Sequence, residues 1–130
     1  MDDWNYCVTT LPKVSRTFAL NISVLKGDLH KSILVAYLFC RTIDTVEDAC
    51  QLEASHKIKL LLHFASILKD TKNNSAALDQ WITNTSVVDG SPADIDLLKN
   101  TRRVFNIFES LQENHKQYIV SSVCTMAQGM

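Results

Sequence analysis

Asp44 and Asp48 are the residues of this sequence best placed to do chemistry together. Within Ile33–Cys50, ILVAYLFCRTIDTVEDAC, a helix turning about 100° per residue puts Tyr37, Arg41, Asp44 and Asp48, spaced 4, 3 and 4 apart, on one narrow polar stripe. Glu47 stands at its edge. Val35, Phe39, Thr42, Ile43, Val46, Ala49 and Cys50 fall on the broad apolar side. Unpaired charge is costly to bury, so a polar neighbour or ligand is expected against the stripe. Carboxylates one helical turn apart face the same way and can aim oxygens at one hard cation. Magnesium suits them, because it takes one or two carboxylates and fills its other positions with water and phosphate oxygens. Arg41 would add a planar fork for a phosphate. The alternative is an exposed helix face whose Arg41–Asp44 pair is worth only a few tenths of a kcal/mol. Spacing alone does not choose between the two.

Three strings in order widen the view: VSRTFALNI upstream, YLFCRTIDTVEDA in the centre, and MAQGM at the end. Together they resemble the squalene and phytoene synthase family of head-to-head prenyl transferases. The resemblance runs from about Leu11 to Met130, nearly all of this chain, and corresponds to about the first half of a family member. It implies the N-terminal half of the isoprenoid synthase fold, with residues 1–130 as a single partial domain. It also implies a Mg2+-dependent enzyme condensing two farnesyl or geranylgeranyl diphosphates to a squalene- or phytoene-type product. Asp44 and Asp48 would hold the metal. Ser15, Arg16, Tyr37 and Arg41 would lie at the diphosphate, and Phe18, Met126, Gly129 and Met130 along the prenyl wall. Glu47 would orient its neighbours. NADPH enters only if the complete enzyme is of squalene synthase type.

Composition sets the bounds. With 130 residues, 46% hydrophobic and 21% charged, the chain can form one domain with a real core. A net charge of −1 gives no reason to expect nucleic acid as a partner. The start, MDDWNYC, lacks the basic region and apolar run of a signal peptide. The longest apolar run, Ile33–Cys40, is too short to span a bilayer. A cytoplasmic location follows as the expectation, with peripheral membrane contact through an apolar product. Cysteines 7, 40, 50 and 124 show no metal-like spacing and read as core residues or free thiols. The four histidines form no ligand pattern.

The elements that must hold the stripe all read as helices. Trp4 to Leu25 is a short lead-in and a helix, with Pro12 near its start and Gly27 at its end. Asp28 would cap a central helix running to Cys50. Glu53–Leu68 is amphipathic, with Ile58, Leu61, Leu62, Ala65 and Leu68 inward. A turn over KDTKNNS leads to a brief helix, Ala76–Ile82, and Asn84–Pro92 reads as a loop. Ala93–Gln112 reads as one helix carrying Ile95, Leu98, Val104, Phe105, Phe108 and Leu111 inward, with Arg102 and Arg103 solvated or salt-bridged. Asn114–Met130 closes the chain with Ile119, Val123, Met126 and Met130 on one stripe. Glycine inside a helix costs about 1 kcal/mol against alanine, so Gly129 suggests close approach by a neighbour. No segment reads as a strand, and an all-α bundle is expected.

Family members face two aspartate-rich helices across a cavity, and here no aspartate follows Asp96. The resemblance therefore implies that this chain alone is a poor catalyst. A non-catalytic diphosphate-binding module, or a helical module pairing with another chain, is the alternative. Uncovered apolar faces would favour self-association or pairing with a complementary C-terminal half.

Overall fold

The polar stripe sits on the longest helix because the sequence around it is built to be buried on its other side. In the computed structural model, which describes residues 2–15, 19, 26–70 and 75–129, this helix runs Gly27–Asp48. We number the described helices α1 Asp3–Val14, α2 Gly27–Asp48, α3 Ala54–Lys69, α4 Ser75–Asn84, α5 Pro92–Lys99, α6 Thr101–Glu109 and α7 Glu113–Gly129. A 3₁₀ turn, Thr85–Val87, follows α4. The chain is all-α, with no strand among the described residues.

α2 is the hub, touching α1, α3, α5, α6 and α7. Val35, Phe39, Thr42, Ile43, Val46 and Ala49 are buried as the periodicity requires, whereas Cys50 is exposed because the chain leaves the helix at Ala49. The buried hydroxyls are satisfied locally: Thr42 Oγ1 donates to the Leu38 carbonyl at 2.8 Å and Thr45 Oγ1 to that of Arg41 at 2.9 Å. Gly27, at φ +64°, opens α2 in a conformation that favours glycine; the segment it was expected to end lies largely outside the described residues. Asp28 does not cap it; it sits in the first turn, where a carboxylate complements the helix dipole.

An aromatic cluster locks the hub to its neighbours. Phe39 meets Phe64 of α3 at 5.6 Å between ring centroids, Phe105 of α6 at 4.9 Å and Phe108 at 5.5 Å. Phe64 in turn stacks on Trp81 of α4 at 5.0 Å. The buried indole N–H donates to the Leu60 carbonyl at 2.9 Å, so this ring is also satisfied.

Several boundaries differ from the sequence reading, each for a local reason. α1 starts at Asp3, capped by the Asp2 carboxylate, so Pro12 lies in its last turn. In α3, Leu61, Ala65 and Leu68 are inward as expected, joined by Leu60, Phe64 and Ile67, while Ile58 and Leu62 are 51% and 52% exposed. The inward arc follows the aromatic Phe64, which the five-residue expectation omitted. The expected single helix Ala93–Gln112 is two, broken at Asn100, whose side chain donates to the Asp96 carbonyl at 2.9 Å. Asparagine hydrogen-bonding its own backbone competes with helix continuation. Arg102 pairs with Asp79, and Arg103 with Asp3, as salt bridges. All four cysteines are free thiols, and burial pushes that of Cys7 up to about 12.

Candidate functional site

The stripe opens on a cleft of about 180 Å³ lined by Arg41, Asp44, Thr45 and Asp48 of α2, with Asp89 and Gly90 from the connection into α5 and Asp94 from its first turn. Tyr37, Arg41 and Asp44 are half-buried and Asp48 is exposed. The polar neighbour that α2 requires is Asp94. Arg41 Nε donates to its Oδ1 at 2.9 Å and Nη2 to its Oδ2 at 3.1 Å. Arg41 therefore pairs with Asp94 and not, as in the exposed-face alternative, with Asp44: Asp94 is the more buried carboxylate and offers both oxygens to the guanidinium fork.

Asp94 is 8% exposed and is held by its own helix end, its backbone N–H bonded to Ser91 Oγ at 3.2 Å. Asp89 accepts the Gln51 backbone N–H at 3.2 Å and so ties this wall to the end of α2. On the outer rim, Lys57 Nζ donates to the Glu47 carbonyl at 2.7 Å, a favourable contact at a helix C-terminus.

Four aspartates and one arginine line the cleft, so it carries excess negative charge. The Asp44 carboxyl is pushed above the ordinary carboxylate range by burial and by the Asp48 charge, with Arg41 opposing. Glu47 is pushed up by a hydrogen bond to Asp48 and by its charge. For Asp44, burial and the Asp48 charge thus outweigh the counter-charge of Arg41. Among the described residues no group of three or more His, Cys, Asp or Glu could hold a metal ion. By the chemistry of the donors, two carboxylates one turn apart match a hard cation such as magnesium, which takes one or two carboxylates and completes its shell with water and phosphate oxygens.

A second, apolar groove of about 410 Å³ lies between α2 and α7, lined by Leu29, Ile33 and Ala36 on one side and His115, Tyr118 and Ile119 on the other. Ser32 and His115 share a hydrogen bond of 2.7 Å across it. Along α2, half-buried Ile33, Ala36, Tyr37, Cys40 and Asp44 succeed one another at helical-face spacing. One side of the helix therefore grades from apolar to acidic.

A model of the family described as squalene/phytoene synthase matches residues 11–130. The chain belongs to the squalene/phytoene synthase family. Squalene synthase 1 of Arabidopsis thaliana is 38% identical over 68 residues, covering 52% of this chain and 17% of the plant protein. Squalene synthase BSS of Botryococcus braunii is 30% identical over 129 residues, 99% of this chain and 26% of its own. Mouse squalene synthase is 30% identical over 118 residues, covering 91% and 25%. The fold agrees: a solved structure of TcSQS in complex with a ligand superposes with a TM-score of 0.81 at 28% identity, covering 98% of this chain and 34% of that one. The chain thus spans about a quarter of these two full-coverage relatives and a third of the solved chain, less than the half its motifs suggested. Motif order fixes where a segment belongs in a family, not how much sequence lies elsewhere.

Arg41, Asp44 and Asp48 line the cleft together, whereas Tyr37, one turn before Arg41 on α2, is half-buried and is not among the described residues lining either cavity. Ser15 ends α1, its N–H bonded to the Leu11 carbonyl at 2.8 Å. Arg16, Phe18 and Met130 lie outside the described residues. Met126 is half-buried against the core and Gly129 ends α7; Met126 is not among the described residues lining either cavity. Sequence reading missed Asp89 and Asp94. Ser91-Pro92-Ala93-Asp94 does carry a helix-start signature, but nothing in it reveals a partner 53 residues away.

Proposed function

We propose that this chain forms the diphosphate-binding side of a head-to-head prenyl transferase that joins two prenyl diphosphates. The observation that carries the reading is the Asp44–Asp48 pair in an acidic cleft at the C-terminal end of α2, the helix whose N-terminal half lines the apolar groove. Asp44 and Asp48 would hold Mg2+, with its remaining positions filled by water and diphosphate oxygens. Bound Mg2+ supplies electrostatic stabilisation for the departing diphosphate. Arg41 keeps N–H donors beyond the two that Asp94 occupies, and these, with the Tyr37 hydroxyl, would orient the diphosphate. Ile33, Ala36 and Tyr118 would shield the prenyl chain from water.

The relatives named above are squalene synthases, which favours farnesyl diphosphate, a squalene-type product and NADPH as reductant over the phytoene alternative. No described helix is long and apolar enough to cross a membrane. One aspartate pair supports binding better than turnover, so the isolated chain is expected to be inactive. Calorimetric titration with inorganic diphosphate tests the reading. Binding is expected with Mg2+ and not with chelator, and is expected to be lost in Asp44→Asn and Asp48→Asn while circular dichroism keeps its helical signal. Metal-independent binding, or loss of helicity in both variants, would make the stripe structural.

A further inference from the structure

Arg41 and Asp44 stand three residues apart on one helix, the spacing at which side chains meet. An arginine free to lean there would neutralise a carboxylate that the proposed cation site needs. In the structure Arg41 is engaged elsewhere. Asp94 takes the Nε and Nη2 edge of Arg41 with both carboxylate oxygens, at 2.9 and 3.1 Å. It does so from a rigid seat: 8% exposed, in the first turn of α5, its N–H bonded to the capping Ser91. A carboxylate that offers both oxygens to the guanidinium edge outcompetes the less buried Asp44 for it.

We propose that Asp94 is a positioning residue of the diphosphate site, holding Arg41 away from Asp44 so that the Asp44–Asp48 pair stays open to a divalent cation. The inference rests on the reading of that pair as the cation site. It assigns to Arg41 two edges with different duties: one anchored on Asp94, the other facing the site. Asp94 itself touches neither metal nor substrate.

Mn2+ binding to the full chain, followed by electron paramagnetic resonance, tests this without any turnover. In Asp94→Asn the released Arg41 brings a positive charge onto Asp44, and Mn2+ binding is expected to weaken about tenfold or more. Arg41→Lys should weaken it in the same direction, because an ammonium cannot be gripped by its edge. The deciding variant is Arg41→Gln/Asp94→Asn. With no cation to release, it should bind Mn2+ at least as well as the unaltered chain. If the double variant is as weak as Asp94→Asn, Asp94 merely supports α5 and the proposal fails; unchanged binding in Asp94→Asn and Arg41→Lys overturns it equally. A metal-free arm separates this from the cation reading. The Arg41 Nε–H proton should show contacts to Asp94 in the unaltered chain and to Asp44 in Asp94→Asn. Absence of Mn2+ binding in the unaltered chain overturns the cation site alone, and an Nε–H that does not move toward Asp44 overturns the positioning role.

Discussion

Asp44 is the residue at which structure and function pull in opposite directions. Burial and the Asp48 charge both raise its proton affinity in the folded chain, and Glu47 is raised through Asp48. A carboxyl held above its unfolded value contributes stability that is full below the ordinary carboxylate range and lost as pH rises through the raised value. Without metal, the unaltered chain should therefore lose more thermal stability than Asp44→Asn between about pH 4 and about pH 7. Added Mg2+ should recover that difference in the unaltered chain only. Melting curves at the two pH values check this; a variant that loses more stability than the parent contradicts it. The acidic stripe itself was legible in the sequence, because periodicity alone aligns positions 37, 41, 44 and 48. Its counter-ion was not. Arg41 has an acidic neighbour one turn away in sequence, and only the tertiary fold brings in Asp94 as the stronger partner.

At the level of elements, α2 works because its two sides are independent: one is clamped by aromatic rings, leaving the other free to carry unneutralised charge. Phe39, fully buried among Phe64, Phe105 and Phe108, is the keystone of the clamp. Phe39→Ala should cost about 3–5 kcal/mol in urea unfolding, in the range for emptying a buried aromatic site. A loss below about 1 kcal/mol would mean that the cluster does not anchor the helix. Helix existence was readable throughout the described residues, since apolar spacing reports which side must be covered. Helix limits were not. Asn100 ends α5 by bonding back to Asp96, and a single residue of this kind leaves the surrounding apolar rhythm intact. The inward arc of α3 was misplaced for a related reason: Ile58 and Leu62 are as apolar as Leu60 and Ile67, and only packing on Trp81 and Phe39 decides which of them are covered.

For the molecule as a whole, family membership is shown along residues 11–130, while the chain spans about a quarter of the two relatives matched over nearly its full length. The account therefore predicts cation-dependent diphosphate binding without turnover. Incubation of the purified chain with farnesyl diphosphate and Mg2+ should give no hydrocarbon product; chelator-sensitive product formation would contradict the assignment of binding alone. The central claim is that Asp44 and Asp48 together hold a divalent cation beside the diphosphate. It is tested most directly by adding trace Mn2+ and inorganic diphosphate to the isotopically labelled chain and recording which amide signals broaden. The account predicts broadening centred on Arg41, Asp44, Thr45, Asp48 and Gly90, abolished in Asp44→Asn/Asp48→Asn. Broadening centred elsewhere, or unchanged in that variant, would contradict it.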